Sequence, residues 1–240
     1  MEQQEILEAA LVRLGDDRRA LLALLRDRGA IDLDWYLREK IVRPRDDGEV
    51  SDHARALKYA FTFVQHGATV AFLREANSRQ PDLRVQVEDL SFYVEIRKFR
   101  SQLNSSTNPV SKVVDAVVAK KTQLPKGQLG FIAIDSFDHF GIESEGFGFT
   151  HDHIFDALSE IERIANESPQ DWYFLGGLLF AASTNGGTST PSIPHFIWIN
   201  RISEPSVPAR LVEWLSESLP DGQLVELSDD PWALRFTTPR

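Results

Sequence analysis

The chain has 240 residues, 42% of them hydrophobic and 26% charged, with a formal net charge of −10 and no cysteine. A chain of this length buries roughly 70–75% of its unfolded surface, which excludes global disorder, while the missing thiols exclude a disulfide scaffold, a thiol nucleophile and a Cys-ligated zinc site. The longest apolar run, 172–182, falls far short of the ~20 residues that span a bilayer, and the acidic start lacks the basic stretch of a signal peptide, so the expectation is a soluble cytoplasmic protein with no membrane partner.

Residues 1–45 read as a helical N-terminal segment. Ile6, Leu7, Ala10, Leu11 and Leu14 repeat at helical spacing. Asp16 or Asp17 offers an N-cap to a second stripe of Leu21, Leu22, Leu24 and Leu25, and a third short helix is expected over 34–41. The leucine stripes can pack on the core or form a dimer surface, so a homodimer is one expectation. The polar breaker at 43–48 marks a boundary, with an α/β domain over 46–240. Ser51 is the expected N-cap of a helix over 51–66, followed by a strand over 68–73. Alternation at period two predicts strands over 82–87 and 90–99. A polar loop over 101–108, a helix over 110–123 and a buried strand over 129–134 follow. Beyond a glycine-containing loop, 141–148, Thr150 caps a helix to residue 166. A strand over 172–182, a polar loop over 183–194, a strand over 195–200, a helix over 208–219 and two short strands complete the reading. Interleaved helices and strands of this kind make an α/β fold.

Charge is unevenly distributed. Between Arg97 and Lys126 there are seven basic residues and one acid, whereas from Gly127 onward 17 acids face five bases. A basic island in an acidic protein is a candidate phosphate-binding face, with a solvated helix face as the alternative.

The stretch from Pro81 to Lys98 carries the most chemistry. A two-residue loop at Glu88-Asp89 would pair Val87 with Leu90 and Leu83 with Val94, setting Asp82 opposite Glu95. Directly opposite side chains have Cβ atoms ~4.5–5.5 Å apart, and like charges there need compensation. A divalent cation supplies it, since Mg²⁺ is held by one or two carboxylates with water or phosphate completing the shell. The alternative is a surface ion-pair cluster in which Arg84 and Arg97 neutralise the two acids. Arg97 shares the face of Glu95, and Lys98 points the other way.

Pro81-Asp82 followed by Glu95-Ile96-Arg97 resembles the PD-(D/E)xK signature of the restriction-endonuclease-like nucleases. The order of helix, strand, hairpin, helix bearing Lys120-Lys121-Thr122-Gln123, and strand resembles their core over 51–137. The resemblance implies a restriction-endonuclease-like mixed central sheet flanked by helices. It also implies a phosphodiester hydrolase dependent on Mg²⁺ or Mn²⁺. Asp82 and Glu95 would be metal ligands, and Arg97 would stand near the scissile phosphate. Lys98, Lys120, Lys121 and Gln123 would approach the nucleic-acid backbone within the 97–126 basic segment. The chain departs from the pattern twice: Arg97 stands where the family has Lys, and no Glu follows Ser51 on the first core helix. A catalytically inactive domain of the same fold, binding nucleic acid or protein, is the alternative function.

Overall fold

The structure is a computed structural model and describes residues 2–74, 80–98, 108–135, 151–181, 195–219, 223–226 and 235–237. Residues 101–107 of the loop expected at 101–108, the loops expected at 141–148 and 183–194, and the Thr150 cap lie outside the described residues. The chain is α/β, and its elements group into two compact units, Met1–Ile96 and Arg97–Arg240. The breaker at 43–48 lies inside the first unit.

In the first unit, α1 (Gln3–Leu14) buries Ile6, Ala10, Leu11 and Leu14, the stripe set by its apolar spacing. Neither Asp16 nor Asp17 caps the next helix. Both belong to a 3₁₀ turn, Asp16–Arg18, that leads straight into α2 (Arg19–Asp27). Arg19 ties the turn back to α1 through Glu8 Oε1 and Oε2, at 2.9 and 3.1 Å. The third helix covers the expected 34–41, but only its first turn is α-helical. α3 (Leu33–Tyr36) passes into a π-helical stretch, Leu37–Val42, that buries Leu37 and Ile41.

α4 (Asp47–Gln65) starts a full turn before Ser51. Its cap is Asp46, whose carboxylate accepts the Gly48 N–H at 2.8 Å. The helix therefore begins at the first capping side chain after Pro44, and Ser51 lies inside it. β1 (Thr69–Phe72), β2 (Leu83–Val87) and β3 (Leu90–Lys98) form an antiparallel meander. Val70, Phe72, Leu83, Val85, Phe92 and Val94 are buried on one face. That face meets α4, with the Phe63 and Phe92 rings edge to face at 6.1 Å. Tyr36 packs on Phe72 at 4.4 Å between ring centroids, and its hydroxyl donates to the His53 carbonyl oxygen at 2.9 Å. Ile31 adds one parallel rung beside β1. Its N–H donates to Val70 O at 2.9 Å, and its carbonyl accepts the Phe72 N–H at 3.0 Å.

In the second unit α5 (Pro109–Lys121) is capped by Asn108, which accepts the Val110 N–H at 2.9 Å. The strands are β4 (Gly130–Asp135), β5 (Leu175–Ala181), β6 (His195–Ile199), β7 (Gln223–Glu226) and β8 (Arg235–Thr237). β4 and β5 run parallel, β5 and β6 antiparallel, β6 and β7 parallel, and β7 and β8 antiparallel, so this sheet is mixed. α6 (His151–Glu167) lies in the parallel crossover between β4 and β5 and packs on α5. α7 (Ala209–Ser218) precedes β7. The strand expected over 172–182 starts at Leu175, because Trp172 closes a 3₁₀ turn through its N–H to Pro169 O. Gly177 needs to be glycine. A Cβ there would stand 2.2 Å from Trp198 O and 3.2 Å from the Phe131 ring. Among the described residues no helix is long and apolar enough to cross a membrane.

Candidate functional site

The β2–β3 hairpin has the register expected from its alternation, with Val87 paired to Leu90 and Leu83 to Val94. Its turn uses Glu88 in the left-handed region, at φ 53°, a conformation a primed hairpin turn requires even without glycine. Extending that register one residue sets Asp82 opposite Glu95. Asp82 is bound from both sides. Its carbonyl oxygen accepts the Leu73 N–H at 3.1 Å, and its carboxylate Oδ2 accepts the Ile96 N–H at 2.8 Å. The side chain thus takes the place of a backbone acceptor where the β2–β3 ladder ends.

Glu95 is buried, at 2% exposure. An ionised carboxylate at that depth needs a compensating charge or hydrogen bonds. Asp82 is half-buried and Arg97 is exposed. The surface ion-pair cluster is not what forms, because Glu95 is not at the surface and Arg84 directs Nε to Ser91 Oγ at 3.2 Å. The hairpin therefore brings Asp82 and Glu95 to one end, and Arg97, two residues further along β3, is the first residue of the second unit. Lys98 lies in β3, and its side chain is outside the described residues.

The other residues singled out from the sequence belong to the second unit, at the C-terminal end of α5. Lys120 Nζ donates to Gln123 Oε1 at 3.5 Å. Lys121 Nζ donates to Asp171 O at 2.9 Å and sits 4.6 Å from the centroid of the Trp172 ring. Burial lowers the Lys121 pKa, and the nearby Asp171 only partly opposes it. Lys121 is thus engaged within its own unit, where its ammonium lies over an indole and holds a carbonyl.

No family model, curated protein or solved structure matches the chain. Its function is argued from its own residues.

The donor set limits which metal these residues could hold. Among the described residues no three His, Cys, Asp or Glu side chains converge. Asp82 and Glu95 therefore offer two hard oxygen ligands. Two carboxylates by themselves do not complete a Ca²⁺ cage of six to eight oxygens, and neither supplies the nitrogen or sulfur favoured by Zn²⁺. It fits Mg²⁺ or Mn²⁺, which retain water and accept one or two carboxylates. A carboxylate has about four lone-pair positions, and the Ile96 N–H takes one of those on Asp82.

A second feature of the first unit has no signal in the sequence. A cleft of about 390 Å³ is lined by Gln3, Arg26, Asp32, Asp34, Trp35 and Arg74, among others. Its residues come from four separate stretches of chain, brought together when Ile31 pairs with β1.

Proposed function

We propose that the chain is a restriction-endonuclease-like phosphodiester hydrolase that uses Mg²⁺ or Mn²⁺. The observation that carries this reading is the hairpin register, which puts the Asp82 and Glu95 carboxylates at one end of one hairpin with Arg97 two residues further along the strand. The Asp82 and Glu95 carboxylates would hold the ion. A divalent ion there would polarise a phosphoryl oxygen and ease deprotonation of water. A guanidinium clamps phosphate through paired N–H donors, so the part of Arg97 would be to grip a phosphate oxygen. Exposure leaves its guanidinium accessible to a strand arriving from solvent.

The alternative, an inactive domain that binds nucleic acid or protein, is favoured by one observation. Asp82 has a structural duty in closing the hairpin, so its presence alone does not argue for catalysis.

The deciding experiment titrates Mg²⁺ and Mn²⁺ calorimetrically into wild type, Asp82→Asn and Glu95→Gln. Asp82→Asn retains an oxygen for the Ile96 N–H, and circular dichroism would check that both variants stay folded. Saturable binding lost in both variants, together with metal-dependent cleavage of DNA or RNA, is the expected result. Binding that survives both substitutions, or wild type that binds no metal even with nucleic acid present, removes the hydrolase reading and leaves the binding module.

A further inference from the structure

The cleft lined by Arg26, Asp32, Asp34, Trp35 and Arg74 is a second constellation in the first unit. Arg26 Nη2 donates to Asp34 Oδ1 at 2.7 Å and reaches Gln3 O at 3.4 Å. Arg74 Nη2 pairs with Asp32 Oδ1, and its guanidinium carbon stands 5.6 Å from the centroid of the Trp35 ring. Asp32 adopts φ 60°, the left-handed region, and its carbonyl accepts the first N–H of the α3 turn from Tyr36 at 2.9 Å. The rung at Ile31 fixes this corner against β1, whose chain continues to Arg74.

Each aspartate engages a single nitrogen of its arginine. A guanidinium has five N–H donors, so each retains its Nε and Nη1 donors. The aspartates and the indole hold both side chains in place before a ligand arrives, which removes part of the ordering cost of binding. Two prearranged guanidinium groups suit a phosphate, which accepts paired N–H donors. Inorganic phosphate would leave most of 390 Å³ empty, a volume within the range of pockets for organic ligands. Trp35 and the Arg74 guanidinium over its ring line the same cleft, so a planar group can add to that stack.

We propose that this cleft binds a nucleoside monophosphate, with the phosphate on Arg26 and Arg74 and the base against Trp35. The ligand can be a free nucleotide or the end of a strand, and the chemistry recognised is the same. Arg74 follows Leu73, which is hydrogen-bonded to Asp82, so the cleft adjoins the same end of the meander as the paired carboxylates. The proposal does not rest on the metal site.

The test is calorimetric titration of the full chain with AMP, UMP, adenosine, inorganic phosphate and a 5′-phosphorylated hexanucleotide. Saturable binding of a mononucleotide is expected, with adenosine and inorganic phosphate each weaker by about tenfold or more, equal to about 1.4 kcal/mol. Arg74→Gln should weaken the mononucleotide by a similar factor while leaving the melting temperature near wild type, because Arg74 is largely exposed. Arg26→Gln should do the same, and should it loosen the contact of α2 with Asp34, Arg74→Gln remains the decisive variant. Nucleotide binding unchanged in Asp82→Asn would separate this site from the metal reading. Hexanucleotide binding as tight as AMP assigns the site to strand ends, and its exclusion assigns it to free nucleotides. Either result supports the proposal. No saturable mononucleotide binding, or equal affinity in wild type and Arg74→Gln, overturns it.

Discussion

Asn200 shows how one side chain can hold together a turn that the sequence leaves open. It is buried at 3% exposure. Its Nδ2 donates to Trp172 O at 3.0 Å and to Leu175 O at 2.8 Å, while Oδ1 accepts the Ile202 N–H at 3.2 Å. Three backbone groups, one just before β5, one at its start and one just after β6, thus share one amide as a partner. Asn200→Ala would leave them without that partner in a water-poor place, at a cost of about 2–3 kcal/mol. Chemical denaturation should show a lower midpoint with an unchanged slope. A midpoint equal to wild type would mean that water replaces the amide. Asp82 works in the same manner, since its Oδ2 serves the Ile96 N–H whether or not the residue also serves a metal. Neither role can be read from the sequence, because an Asn or Asp near a strand end is compatible with a solvated turn as well as with a buried backbone bond.

Elements were legible where a local period and a local turn agreed. The β2–β3 hairpin follows from alternation around a two-residue loop, and its observed register is the expected one. α4 was misjudged at its start because two capping residues, Asp46 and Ser51, lie one turn apart and only the first is used. The π-helical stretch, Leu37–Val42, has no sequence period of its own, and the Ile31 rung is a single residue whose partner is 40 positions away. The cleft was invisible for that reason. Contact between α6 and β6 supplies a pH-dependent test. Trp198 Nε1 donates to Glu162 Oε1 at 3.2 Å. Burial pushes the Glu162 carboxyl above its ordinary value, more than the Trp198 hydrogen bond and the Arg201 charge lower it. A carboxyl raised in this way contributes stability that is fully present below its unfolded value, about 4.3, and lost as pH rises through the folded value. Glu162→Gln keeps an oxygen for the indole and removes the charge. It should melt above wild type at about pH 7 and converge with wild type near about pH 4. A gap of equal size at both pH values would exclude the charge as its source.

At the scale of the molecule, the net charge of −10 works against nucleic acid unless the binding face is locally basic. The bases between Arg97 and Lys126 lie in the second unit, and Lys121 among them is already engaged by Asp171 and Trp172. Two phosphates neutralised by the remaining bases would cost about tenfold in affinity between about 50 and about 200 mM salt. Fluorescence anisotropy of a labelled oligonucleotide across that range reads the slope directly. A flat response would take this segment out of any nucleic-acid interface. The α/β class was legible from the interleaving of helices and strands. The grouping into units at Ile96 and Arg97 was not, since the division falls inside a regular strand with no change in composition to mark it.

The hydrogen bond from Ile96 to Asp82 also bears on what inheritance can reveal. A lineage with no chemistry at this hairpin would still need an acceptor at position 82 to finish it, so purifying selection there would persist without any activity to protect. Drift at position 97, where the side chain is exposed, is the more informative record of whether any chemistry was kept.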